Sequence, residues 1–495
     1  MKNSILALVV FLCGAMVMVY EIVGSRVVGP YVGTSLFVWT SLIGVILLSL
    51  SMGYWIGGYL ADKWPEARIL AWIILLSALL VLLTTLLKER VLTYLVGHFT
   101  DLRVNSVIGA IVLFAPAALL LGMVSPYAVR LSMKEVSGSG KTVGRLYAIS
   151  TIGSIAGTFA AGFWLIPAMG HKNVLFLVTF ILSACAMMIF VSGRKIPGSV
   201  AGILFMLLLS WFFFKSVTRT YAYIDTDSSY NRILIYDSKD YETGKDIKIL
   251  RINDERSSAI FRDSSGIVFR VLKYYHLVSH FNPGFKHTLM IGGSGYSYPM
   301  DFLSRFPDAH IDVVEIDPML TELAKIHFGL KDHPRLRIFH EDGRTFLNQS
   351  TARYDAIFMD AYKSQLTVPY QLTTLEAVEK MYQMLNPEGL VMANIISCLD
   401  NKRNHFLAAE LATYKAVFPQ VVLLAVKSKT QADLLQNFML IAVKSTQEIS
   451  FENEDQELDS YLQNVIHHTF PPIPVLTDDY APVEFYANRL LSSIH

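Results

Sequence analysis

Cysteine is nearly absent: Cys13, Cys185 and Cys398 are the only three in 495 residues, and they share no spacing. That excludes a disulfide framework and a thiolate zinc motif, so no metal site is expected. Charge is scarce too, at 17% of residues against 53% hydrophobic and a mean hydropathy of +0.41, which is too apolar for a soluble protein. The net charge of +1 supplies no basic field for nucleic acid. A cleavable leader is not expected either, because Glu21 and Arg26 follow the first apolar run without a small-residue cleavage site.

What is present in the N-terminal half is a series of seven charge-free runs: Asn3 to Tyr20, Val27 to Ala61, Ile69 to Leu87, Val104 to Val129, Leu146 to His171, Asn173 to Gly193 and Ile196 to Phe214. Each is about long enough to cross a hydrocarbon core of ~30 Å, so the pattern predicts seven transmembrane helices. Residues 1–215 hold 15 Lys and Arg against 6 Asp and Glu, and the remainder 27 against 35. A basic part beside anionic lipid and an acidic part suited to a cationic ligand are implied. With Lys2 inside, nine basic residues collect on the inner side against six outside, a margin too thin to orient the chain. A ligand made in the cytosol favours a cytosolic C-terminal half and an outward N-terminus. Gly53-x-x-x-Gly57 and Gly153-x-x-x-Gly157 are faces for close helix packing. Glu21 and Arg26, charges near membrane depth, are candidates for a pairing or pore role.

The most specific pattern follows in the second half. Thr288 to Ile291 is an apolar strand that enters Gly292-Gly293-Ser294-Gly295; a helix comes next, then a strand ending in Glu315, 22 residues beyond Gly293. Glycines let a backbone approach a ligand closely, and an acid at the next strand tip can accept both ribose hydroxyls. Leu336 to His340 leads to Asp342-Gly343, where an acid could face an adenine amino group, and Tyr354 to Met359 closes on Asp360. Three acids at successive strand tips would line one edge of a parallel sheet. No Gly-Lys-Ser/Thr follows Gly295, and an acidic rim repels pyrophosphate, so a neutral or cationic nucleoside is expected rather than NAD or ATP.

Around that stretch, Arg232 to Tyr236 and Ile247 to Ile252 flank a Gly244 turn and read as a small antiparallel hairpin region. A helix from Phe269 to Ser279 precedes the glycine strand, a hairpin is expected at Val421 to Val426 and Asn437 to Val443, and the acidic stretch Glu448 to Asp459 reads as a solvated face or linker. The resulting organisation is a transmembrane domain of about seven helices (1–217), a β-hairpin domain (218–265), a Rossmann-like α/β domain (266–445) and an acidic linker with a tail (446–495).

The order Tyr275-His276, Gly292-Gly293-Ser294-Gly295, Glu315-Ile316-Asp317, Asp342-Gly343 and Asp360-Ala361-Tyr362 resembles the spermidine synthase (polyamine aminopropyltransferase) family over roughly residues 225–445. Pro369-Tyr370-Gln371-Leu372-Thr373 and the tail Asp478-Asp479-Tyr480-Ala481-Pro482-Val483-Glu484 look like its membrane-fused bacterial branch. The resemblance implies a class I methyltransferase-like sheet and no prosthetic group. The implied substrate is S-adenosylmethionine or its decarboxylated form, with methylthioadenosine as product and a polyamine as acceptor. Gly292, Gly293, Gly295, Glu315, Asp342 and Gly343 would hold the nucleoside; Asp360, Tyr275, Tyr362 and Lys363 would act at the reacting end. A homo-oligomer in a bacterial inner membrane, with the globular part in the cytosol, is implied as well.

Departures from the family pattern are concentrated in the acceptor half. The diamine-binding acid of the soluble members' glycine turn falls on Gly295, their second acid after Asp360 falls on Lys363, and the glutamate after their Tyr-Gln/His pair falls on Leu277. Aminopropyl transfer would then need replacements such as Asp360, Tyr275, Asp478 or Asp479. The alternatives are cleavage of S-adenosylmethionine to methylthioadenosine plus homoserine or its lactone, methyl transfer, and a non-catalytic nucleoside-gated sensor or transporter. In the cleavage reading Lys363 would pair with the substrate carboxylate.

Overall fold

The computed structural model describes residues 3–32, 36–99, 101–133, 139–192, 224–253, 255–263, 266–362, 368–431 and 433–491. The chain divides into two compact units, one built on the apolar half together with residues 226–232 and one on residues 222–225 and 233–495.

In the first unit, α1 (Asn3–Val32), α2 (Leu36–Lys63) and α3 (Ala67–His98) follow the first three apolar runs. The single span expected from Val104 to Val129 is corrected to two helices, α4 (Leu102–Leu113) and α5 (Ala115–Ser132). Pro116 sits in the first turn of α5, where its missing N–H costs no helical bond, and that restarts the helix after Phe114. The runs Leu146 to His171 and Asn173 to Gly193 are also divided differently. One continuous segment passes from α6 (Ser139–Ala160) through a π-helical turn (Ala161–Leu165) into α7 (Ile166–Ser192), bent where Gly170 takes φ 72° and ψ 162°. Among the described residues, five helical stretches are long and apolar enough to cross a membrane: Ser4–Val32, Leu36–Lys63, Ala67–His98, Ala115–Ser132 and Gly140–Ser192. The seventh run, Ile196 to Phe214, lies outside the described residues.

The two glycine motifs lie at backbone contacts. A Cβ on Gly57 would stand 2.6 Å from the Met123 Cα on α5, and one on Gly157 would stand 2.8 Å from the Ala15 Cα on α1. Facing outward instead are Trp55, Tyr59, Phe163 and Trp164, each at least 66% exposed, an apolar exterior suited to lipid rather than water.

The interior of this unit is not wholly apolar. Tyr20 donates to the Leu113 carbonyl at 2.9 Å and lies 2.9 Å from the Thr84 hydroxyl. One turn along α3, Lys88 is 1% exposed with Nζ 2.5 Å from His171 Nε2, and His171 Nδ1 lies 2.8 Å from Asp227 Oδ2. The His171 amide donates to that same oxygen at 2.9 Å. Arg26 is not a lone intramembrane charge: its guanidinium donates to the Ser229 and Tyr230 carbonyls. The short segment 226–232 is therefore tied at two points.

After the apolar half, β1 (Ile224–Asp227), β2 (Arg232–Lys239), β3 (Asp246–Ile252) and β4 (Glu255–Phe261) form a four-stranded sheet in chain order, with a left-handed Gly244 (φ 70°) between β2 and β3. The expected helix Phe269 to Ser279 is broken, with a 3₁₀ turn at Tyr275–Leu277 between two short helices.

A seven-stranded sheet follows: β5 (His287–Ile291), β6 (His310–Val314), β7 (Leu336–Phe339), β8 (Tyr354–Met359), β9 (Leu385–Ser397), β10 (Gln420–Ala425) and β11 (Gln436–Val443). Its order is β10-β11-β9-β8-β5-β6-β7, with β11 antiparallel to both neighbours and the rest of the ladder parallel. This is the Rossmann-like α/β sheet, and its strand order reverses between β5 and β8, where such folds open a ligand crevice. The acidic stretch 448–459 is no free linker: it leads into a helix (Gln456–Leu462) whose Leu458, Tyr461 and Leu462 are buried, and Arg305 reaches Asp455 and Glu457 at 3.6 Å.

Candidate active site

The four strands that end at the crevice are locked at their tips. The Gly292 amide donates to the Val314 carbonyl, the Glu315 amide to Phe339, and the Asp360 amide to Ile291, at 2.9 to 3.0 Å. Gly292 takes φ 99°, and a Cβ there would stand 2.8 Å from the Asp360 carbonyl carbon, so the loop after β5 can cross the tip of β8 only as glycine. Ser294 (φ 48°) and Tyr296 (φ 58°) are also left-handed, which is costly for residues with side chains.

Glu315 is what holds that strained turn. It is 6% exposed, its Oε2 accepts the Gly293 and Ser294 amides at 2.9 and 2.8 Å, and its Oε1 accepts the Asp317 amide at 3.0 Å. Burial raises its pKa, and the three N–H bonds oppose that rise. Beside it the Ser294 hydroxyl is buried without a hydrogen-bond partner among the described residues. Asp342 caps the helix Gly343–Gln349 by accepting the Thr345 amide at 3.0 Å. Gly343 lets that helix approach β5, since a Cβ would lie 2.8 Å from Ile291 Cγ2. Gly295 packs against β4, where a Cβ would stand 2.7 Å from Ser258 Cβ.

At the other end of the crevice stands Asp360. Its Oδ1 accepts from Asn394 Nδ2 at 2.9 Å, and burial pushes its carboxyl up to about 6 against the pull of that bond. Tyr275, 0% exposed, donates to the Met359 carbonyl at 3.1 Å and packs on Tyr298 and Phe358. Tyr362 donates to the Asn394 carbonyl at 2.8 Å and accepts from the Ile396 amide at 3.0 Å. Burial first and Asp360 second raise both phenols well above their usual value. These tyrosines frame the site with their hydroxyls committed to backbone. Lys363 lies outside the described residues.

Sequence reasoning missed three residues that the fold brings to Asp360. Glu255, at the start of β4, is pushed up to about 8 by burial and then by repulsion from Asp360. Asn394, 7% exposed on β9, is held by the Asn437 amide nitrogen at 2.9 Å and orients Asp360. Glu410, 4% exposed on the helix His405–Lys415, is driven well above the carboxylate range by burial. Tyr362 is raised by burial first and then by Asp360, Glu255 and Glu410, and Glu410 lines one cavity with Asn394. The one available signal was Glu410 as the only charge in Phe406 to Tyr414, an otherwise uncharged stretch. The tail acids do not take this role: Asp478 is held by both Arg344 nitrogens at 3.1 and 2.6 Å and by Thr374 at 2.7 Å, and Asp479 is exposed.

Residues 273–453 match the spermine/spermidine synthase domain. The chain is 25% identical over 226 residues to a polyamine aminopropyltransferase of Vibrio vulnificus, covering 44% of this chain and 71% of that one. It is 21% identical over 417 residues to polyamine aminopropyltransferase 1 of Streptomyces coelicolor, covering 78% of this chain and 75% of that one, a share too large for the globular unit alone. Among solved structures, a probable spermidine synthase from Corynebacterium glutamicum aligns with 22% identity and a TM-score of 0.41, over 49% of this chain and 86% of that one. The matched domain covers the glycine turn, Glu315, Asp342 and Asp360, so residues 273–453 carry the likeness to the spermine/spermidine synthase domain that the polyamine aminopropyltransferases share.

Proposed function

We propose that this protein is a membrane-anchored transferase that binds decarboxylated S-adenosylmethionine, passes its aminopropyl group to an amine and releases methylthioadenosine. Glu315 and the Ser294 hydroxyl would meet the ribose, with the ribose hydroxyls taking over bonds that now go to the turn, and Asp342 would meet the adenine. The acceptor nitrogen attacks the carbon next to the sulfonium. Its lone pair forms the N–C bond, the C–S pair returns to sulfur, and the nitrogen proton passes to a carboxylate. The helices long enough to span a bilayer would anchor the enzyme with its globular part in the cytosol, where its substrates are made.

The observation that carries this reading is Asp360 at the tip of β8, held by Asn394 at 2.9 Å and pushed up to about 6 by burial, as a proton acceptor for an ammonium requires. Glu255, pushed up to about 8 by burial and then by repulsion from Asp360, adds a second carboxyl to that end of the site. They also return negative charge that Gly295, Lys363 and Leu277 do not supply. Incubation of the purified protein with decarboxylated S-adenosylmethionine and 1,4-diaminobutane should yield methylthioadenosine and aminopropylated amine in equal amounts. Absence of the amine product sinks the proposal.

Cleavage of S-adenosylmethionine is the second reading, favoured by the closure of the Gly295 position against Ser258. Methylthioadenosine formed from S-adenosylmethionine alone would establish it, and S-adenosylhomocysteine would point to methyl transfer instead.

A further inference from the structure

Asp360 takes its hydrogen bond from a side chain that is itself held. An ionised carboxylate only accepts, so Asn394 must turn its Nδ2 toward Asp360, and its Oδ1 then faces the opposite way. At 7% exposure Asn394 lies away from bulk water, where an acceptor left bare costs free energy. Asn437 meets that need, because its Nδ2 donates to Asn394 Oδ1 at 2.9 Å. The sheet register brings the two together. In the pairing of β9 with β11, Asn437 lies opposite Ile396 and Met439 opposite Asn394, so the asparagines are diagonal neighbours on one face. Asn437 is anchored in turn, since its carbonyl accepts the Val426 amide at 3.0 Å. The reverse orientation of Asn394 would aim an acceptor at Asp360, which only a protonated Asp360 could meet. Glu255 on β4, Tyr275 and Tyr362 are the ionisable groups that feel the Asp360 charge, each a like charge when ionised, and Glu410 borders a cavity with Asn394. Against burial, the Asn394 bond favours the carboxylate.

We propose that Asn437 is a positioning residue: acting through Asn394, it fixes that amide so that Asp360 is held as a proton acceptor, in a relay that runs from β11 through β9 to the tip of β8. The proposal rests on the aminopropyl-transfer reading for the proton that Asp360 receives, but the relay is read without turnover. Removing the Asn437 donor frees Asn394 to turn, and the protonated form of Asp360 gains.

The test is a pH titration of the Asp360 carboxyl in the full-length protein, read by infrared difference spectroscopy with isotope-labelled aspartate and Asp360→Asn as the blank, on wild type, Asn437→Leu, Asn437→Asp and Asn437→Gln. The wild-type midpoint should fall at about 6. Asn437→Leu removes the donor and Asn437→Asp puts an acceptor in its place, so both midpoints should rise by about 1 to 2 units, the weight of one hydrogen bond to a charged group. Asn437→Gln keeps an amide donor and should stay near wild type, and the acid limb of kcat/KM should follow each midpoint. Midpoints that stay put in Asn437→Leu and Asn437→Asp overturn the relay. An Asn437→Gln midpoint that rises as far as that of Asn437→Leu assigns the effect to packing and overturns it too. If the midpoints move as stated yet no aminopropylated amine forms, the relay stands and the transfer reading falls.

Discussion

Gly295 and Glu255 show how single residues reshape this site. An acid cannot simply be placed at the Gly295 position, because Ser258 fills the space a side chain would need. Gly295→Asp alone is therefore expected to lower stability by about 1 to 3 kcal/mol, the usual cost of overpacking, and Gly295→Asp with Ser258→Gly to recover most of it; denaturant unfolding checks both. The paired carboxyls predict a pH profile. Activity needs the deprotonated base, so kcat/KM should rise with pH through about 6 and again toward about 8. In Asp360→Asn the repulsion is gone, and the Glu255 step should move below about 8. Stability should run the other way. Both folded values lie above the ordinary 3.8 and 4.5, so the folded state holds more protons through that window and loses stability as pH rises.

Among the elements, the Gly-x-x-x-Gly motifs were legible as packing faces, but their partners were not. The contacts pair α2 with α5 and α6 with α1, which spacing along one helix cannot state. Gly157→Leu should push α6 from α1 and cost about 1 to 3 kcal/mol by overpacking, visible as a lower unfolding temperature in detergent, whereas leucine at Gly162, with open space around it, should be tolerated. The element boundaries that were misread have local causes. Pro116 restarts a helix and Gly170 bends one; neither interrupts a hydrophobic run, so hydropathy alone passed over both. The acidic stretch at 448–459 was read as solvated because charge dominates it, yet Leu458, Tyr461 and Leu462 give its helix an apolar face to bury.

For the whole molecule, each half carries a polar cluster inside an apolar frame, of a kind composition does not reveal. In the apolar half Lys88, His171 and Asp227 come from two helices and the segment that follows the spans. His171→Ala would leave Lys88 buried without its partner and is expected to cost about 3 to 5 kcal/mol; Asp227→Asn, which keeps a hydrogen-bond acceptor, should cost less. Thermal unfolding of the two variants in detergent ranks them.

The sequence by itself determined the division into an apolar and a globular half, the strand-turn-strand run to Glu315, and the acids at three strand tips. These depend on local periodicity and short spacing, which survive in one dimension. Only the tertiary structure decided which helices meet, that Glu315 pins its own turn, and that Glu255 feels the Asp360 charge and Glu410 shares a cavity with Asn394 from sites 105 and 50 residues away from Asp360. Burial and strand order bring such distant charges together, and neither is written in the spacing of the residues.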